Sequence, residues 1–181
     1  MKATGIVRRI DDLGRVVVPK EIRRTLHIRE GDPLEIFTDR DGGIILRKYS
    51  PIGELSGFAR EYADALAQAS GYIVSIADRD QHVAVSGQGR KDLQGKSLSR
   101  GLGKMIHQRS SNCCSAGEKG FVNLVEENDG YTWQVISPII AEGDAIGAVI
   151  MTSKDENVRM GEVEQKLVST AAGFLGRQME Q

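Results

Sequence analysis

At 181 residues, with 40% hydrophobic and 27% charged residues, the chain has the make-up of a folded protein of one or two domains and is neither disordered nor fibrous in composition. Its start, MKATGIVRR, lacks the apolar segment of a signal peptide, and no stretch approaches the roughly 18 apolar residues of a membrane span, so the cytoplasm is the expected location and no membrane partner is expected. The net charge of -1 conceals a division: residues 1–29 carry eight Lys or Arg against three acids, which leaves six net negative charges on the rest of the chain.

The basic segment has its own pattern. Ile6, Val7 and Ile10 form a first apolar run, Asp11-Asp12-Leu13-Gly14 supplies a turn, and Val16-Val17-Val18 forms a second run, which together predict strand, turn and strand. Pro19, with its fixed φ, suits the start of a short helix in which Ile22 and Leu26 share a face and Arg23 and Arg24 project from other sides. The three valines do not alternate with polar residues, so both faces of that strand need cover, which a lone hairpin cannot give. Arginines at 8, 9, 15, 23 and 24 recur beside the turn and the helix, an arrangement suited to an anionic partner whose phosphates exchange condensed counterions for protein cations. The chain continues through a turn at Glu30-Gly31-Asp32-Pro33, a strand over Leu34–Thr38, a turn at Asp41-Gly42-Gly43 and a strand over Ile44–Lys48. About 50 residues is close to the size at which a single-chain core becomes marginal, so a dimer is expected.

The succession GIVR, DxLGR, a valine run ending in Pro, then KEIRRTL resembles the N-terminal domain of AbrB-type transition-state regulators, a family of bacterial DNA-binding proteins. The chain as a whole resembles the sporulation regulators of that family. The resemblance implies a dimeric swapped-hairpin β-barrel over residues 1–50, in which hairpins of two chains interleave, with double-stranded DNA as partner. It places Arg8, Arg15, Arg23 and Arg24 at the DNA-contact positions, with Arg9 and Lys2 beside them. Arginine suits that task because its guanidinium stays charged and offers a planar fork to phosphates or to guanine. The nucleoid of a sporulating cell or forespore is the setting implied.

Tyr49-Ser50-Pro51-Ile52-Gly53 interrupts the strand pattern, which predicts a linker over 51–55 and a second domain over 56–181. Leu55, Phe58, Tyr62, Leu66 and Ala69 make one helical stripe, and Val163, Leu167, Val168, Ala171, Phe174, Leu175 and Met179 a broader one on a helix beginning near Gly161. These stripes suit packing on the domain's own sheet and subunit contact equally. Strands are predicted over Tyr72–Ala77, His82–Ser86, Phe121–Val125, Tyr131–Ile140 and Ala145–Thr152, with a helix over Leu98–Arg109, an α+β pattern. The run SPIIAEGDAIGAVIMTS, Ser137 to Ser153, resembles the late strands of GAF domains, small-molecule sensor modules. That resemblance implies a GAF-like sandwich with an antiparallel sheet, an unidentified small-molecule effector, and a homotetramer joined through GAF-like contacts.

Enzymatic signatures fare poorly. Gly95-Lys96-Ser97 suggests a phosphate loop, but five residues separate it from Gly89 where that motif has four. Gly101 and Gly103 lack the third glycine of a dinucleotide fingerprint. His27, His82 and His107 are scattered without metal-ligand spacing, so neither metal nor cofactor is expected. Cys113 and Cys114 are adjacent and too close for an ordinary disulfide, but a thiolate near Arg109 or Lys119 would suit the thiol redox chemistry of a few GAF-type proteins. That enzyme is the main alternative to a non-catalytic regulator. An antitoxin-like protein with a toxin partner is a third, disfavoured by the long, patterned second part.

Overall fold

Each part of the chain organises itself around its own sheet. The computed structural model describes residues 5–54, 56–127 and 130–180 and divides into two compact units, Met1–Tyr49 and Ser50–Gln181.

In the first unit, helix α1 (Lys20–Thr25) follows Pro19, and strands β1 (Leu34–Thr38) and β2 (Ile44–Lys48) pair antiparallel from Leu34 opposite Lys48 to Thr38 opposite Ile44. Their turn is closed by Asp39, whose Oδ1 accepts the N–H groups of Asp41 at 3.1 Å and Gly43 at 2.6 Å. The hairpin expected over residues 6–18 has its turn but no ladder: neither apolar run is a strand within one chain. The physical reason is cover. Val7 is 86% exposed and Val17 71%, and among residues 5–49 only Pro19 is buried. Alone, this unit has almost no core.

The second unit holds a five-stranded antiparallel sheet in the order β4-β3-β7-β6-β5, formed by β3 (Ile73–Ala77), β4 (His82–Ser86), β5 (Asn112–Ser115), β6 (Trp133–Ala141) and β7 (Asp144–Ser153). Both faces are covered, which is why β7 reads as a nearly continuous apolar run. One face packs against α2 (Pro51–Glu54), α3 (Ser56–Ser70) and α5 (Glu162–Gln178), with Val74, Ile76, Val149 and Met151 meeting Ile52, Ala63 and Leu175. The other face carries α4 (Arg100–His107) and the loop after β5, with Ile73, Ile136 and Ile150 among Leu93, Leu102 and Leu124.

Four features depart from the sequence-based expectations. Residues 51–54 are a helical turn, and Ile52 belongs to the core. The buried stripe of α3 is Ala59, Ala63 and Ala67, one position on from the larger apolar residues, because a helix lying close on a sheet needs small side chains beneath it. Phe58 and Tyr62 turn sideways to Phe174 of α5, with ring centroids 5.6–6.2 Å apart, while Val163 is exposed and Leu55 lies outside the described residues.

Strand β5, which contains both cysteines, replaces the strand expected over Phe121–Val125. That segment is instead an irregular covering loop whose backbone is held by side chains. The amide of buried Gln134, with its nitrogen turned toward Val122 O, meets both Val122 O at 2.8 Å and Val122 N at 2.9 Å. Buried His82 reaches Leu124 O with Nε2 at 3.2 Å and Ser75 Oγ with Nδ1 at 2.7 Å. A carbonyl only accepts, so Nε2 carries the proton and, in the neutral ring, Nδ1 accepts the serine hydroxyl.

Candidate nucleic-acid interface

Of the first unit's basic residues, Arg15 closes the turn at 11–15. Asp11 builds that turn: its Oδ1 accepts the N–H groups of Leu13 at 3.0 Å and Arg15 at 2.7 Å, and its Oδ2 accepts Arg15 Nε at 2.8 Å. Gly14 completes it at φ +76°, a left-handed conformation that favours glycine. The hydrogen bond from the Arg15 amide, then that from its guanidinium, hold the Asp11 carboxyl below its ordinary 3.8.

A carboxyl depressed in this way contributes its turn-closing bonds above the ordinary carboxylate range and loses them as pH falls through the depressed value. An NMR titration is therefore expected to show Asp11 protonating below its ordinary 3.8, with the Leu13 and Arg15 amides moving at the same midpoint. Arg15→Ala is expected to restore only part of the shift, because the backbone bond remains.

Arg8, Arg9 and Arg24 are exposed and make no ion pair among the described residues. Arg15 is exposed but tied to Asp11. Arg23 differs from the expectation that it projects freely: it is half-buried, and its Nε is shut from solvent without a hydrogen-bond partner among the described residues. Lys2 lies outside the described residues. The structure thus gathers Arg8, Arg9, Arg15, Arg23 and Arg24 in the one unit whose apolar surface lacks cover.

The cysteines offer little to nucleophilic chemistry. Cys114 is buried and Cys113 half-buried, neighbours on β5. Burial, and for Cys113 the nearby Glu164 carboxylate, pushes both thiols above their ordinary 9.0, which favours the unreactive protonated form. Neither Arg109 nor Lys119, the cations considered as activators, is among the causes of either shift. No group of three His, Cys, Asp or Glu side chains among the described residues could hold a metal ion, and no described helix is long and apolar enough to cross a membrane.

Comparison with known proteins matches these two units separately and together. Residues 7–54 match the family model described as antidote-toxin recognition MazE, bacterial antitoxin, and residues 54–180 match stage V sporulation protein T C-terminal, transcription factor. The transition state regulatory protein AbrB of Bacillus subtilis (strain 168) is 65% identical over 51 residues, covering 28% of this chain and 52% of that protein. Among solved structures, the blue-light absorbing form of the Thermosynechococcus elongatus PixJ GAF-domain aligns with a TM-score of 0.56 at 13% identity, covering 74% of this chain and 89% of that one, a likeness of fold alone. Stage V sporulation protein T of Bacillus subtilis (strain 168) is 62% identical and covers 100% of both chains. The chain belongs to the stage V sporulation protein T family, with an AbrB-like head and a GAF-like second unit.

Proposed function

We propose that the chain is a non-catalytic, DNA-binding transcriptional regulator of sporulation genes, whose head grips duplex DNA through Arg8, Arg15, Arg23 and Arg24, with Arg9 and Lys2 at the margin. The observation that carries this reading is the head itself: the exposed, unpaired Arg8, Arg9 and Arg24 in a unit whose apolar surface its own chain leaves open, in a chain 62% identical to stage V sporulation protein T. Two heads interleave to cover that surface and so present two sets of arginines to one duplex. The head and the unit that begins at Ser50 divide DNA binding from sensing and assembly, within the cytoplasm of the sporulating cell. The half-exposed aromatic trio Phe58, Tyr62 and Phe174 supports contact between GAF-like units, making a homotetramer in which one bound head raises the effective concentration of the other. A small-molecule effector acts on this assembly only by binding two of its states unequally.

The thiol-enzyme reading loses support from the raised cysteine thiols, and the antitoxin reading from the folded second unit. DNA affinity measured against salt tests the proposal. Wild-type log affinity should fall with log salt by about 0.9 per phosphate neutralised, and Arg23→Ala combined with Arg24→Ala should weaken binding and flatten that slope by about one unit per lost contact. An unchanged response in a folded, oligomeric variant would sink the reading.

A further inference from the structure

A second basic region lies in the otherwise acidic second unit. Between Arg90 and Lys119 the chain carries seven Lys or Arg against two acids, so that the residues outside this stretch and outside 1–29 hold twenty acids against nine bases. The two acids are engaged elsewhere: Asp92 pairs with Lys154 at 2.7 Å, and Glu118 accepts the Ser115 N–H at 2.7 Å. On α4, Arg100, Lys104 and His107 are four and seven residues apart and share one exposed face, opposite buried Leu102 and Ile106. The Glu126 carboxylate accepts the Arg100 backbone N–H at 3.0 Å and lies 3.9 Å from its guanidinium, which is almost wholly exposed, while Lys104 and His107 make no ion pair among the described residues. Arg90, Lys91 and Lys96, all exposed, lead into this helix.

Gly103 is an independent observation. It lies within α4 beside the cationic face, where glycine weakens a helix relative to alanine, and a Cβ built on it would meet nothing within 4 Å. No described neighbour of α4 requires a bare backbone there. A partner that approaches the helix closely does.

We propose that the exposed face of α4, made by Arg100, Lys104 and His107 beside Gly103, is a second DNA-contacting surface that takes the phosphate backbone of the duplex without reading its bases. Cations on a surface helix contact phosphates sequence-independently, and a bare glycine lets the backbone of the helix approach the strand. The proposal rests on the reading of the chain as a DNA-binding regulator.

The test uses the full chain and a nonspecific duplex, with Arg100→Ala combined with Lys104→Ala compared with wild type and with Arg23→Ala combined with Arg24→Ala. Loss of two phosphate contacts flattens the salt slope by about 1.8, so that between 50 and 200 mM salt the variant loses about tenfold less affinity than wild type. Gly103→Ala is expected to raise the thermal midpoint while weakening DNA binding several-fold. An unchanged slope for the α4 variant overturns the proposal whatever Gly103→Ala does; if the head variant flattens the slope in the same experiment, the DNA reading stands without it. A flattened slope accompanied by loss of subunit association, read by light scattering, assigns the surface to contact between copies and also overturns it. Absence of DNA binding by the wild type removes both readings.

Discussion

Alanine at Gly176 is expected to destabilise the second unit by about 3 kcal/mol or more, lowering its thermal midpoint by about 10 °C. Gly176 lies on the face of α5 turned to the sheet, and a Cβ there would run into the carbonyl oxygen of Ile140 and stand 3.1 Å from its carbonyl carbon. That neighbour is backbone. It belongs to β6, whose pairing with β7 already shifts register between Ile139 and Ile140, so it cannot swing aside as a flexible side chain would. Gly173, in the same helix, is the control: it is exposed, and a Cβ there would meet nothing within 4 Å. Gly173→Ala should stabilise the helix by roughly 0.5–1 kcal/mol. The same substitution three residues apart is thus expected to have opposite signs in calorimetry, and two effects of one sign would contradict the close approach of α5 to β6.

Val17→Asp is expected to abolish head pairing and, with it, high-affinity DNA binding. Within one chain Val17 is 71% exposed, so an aspartate there meets water and should cost the isolated chain almost nothing. In an interleaved dimer the same position is covered, and an unpartnered carboxylate taken out of water costs several kcal/mol. Any large effect therefore reports on a second copy. Sedimentation should show the assembly falling to species joined only through the second units, while the thermal transition of the second unit is unmoved. Lys48→Ala, which removes contacts to Asp32 at 3.4 Å and to His27 O at 2.9 Å within one head, should instead loosen the head without abolishing pairing. Retention of dimeric heads by Val17→Asp would remove the interleaved arrangement.

The sequence was legible where the governing interactions are local. Strands β1, β2 and β4 match their expected limits, because alternation or turn chemistry on either side defines them. Helix α5 was marked by Gly161, whose N–H bonds to Glu164 Oε2 at 2.7 Å at its first turn. Legibility failed where a distant partner decides. Asn112–Ser115 has no β-branched or aromatic residue and becomes a strand only because β6 lies alongside, with Cys114 opposite Gln134. Phe121–Val125 has strand-like composition, yet its hydrogen bonds go to Gln134, His82, Ser99 and Glu118 rather than to a neighbouring strand's ladder. The alanine stripe of α3 was hidden by larger neighbours, since hydrophobicity ranks Phe58 above Ala59 whereas proximity to a sheet favours the reverse.

The arginine pattern around the first turn was legible from spacing. What could not be read was the inward position of Arg23, or the way Asp11 holds Arg15. Asp11 was visible only as a turn residue, and its grip on the guanidinium means that a phosphate reaching Arg15 must compete with a carboxylate already in place.

The bareness of the head also bears on protein synthesis. The head leaves the ribosome before the second unit, yet among its described residues only Pro19 is buried, so a lone nascent head has too little to fold around. The segment that follows carries two apolar clusters and closes on itself once α5 emerges to complete the layer begun by α3. The second unit is thereby expected to fold before the head that precedes it in the chain. Neighbouring ribosomes on one messenger would then give each waiting head a nearby match, and dilution after release would strip competence from the head before the rest of the molecule lost its shape.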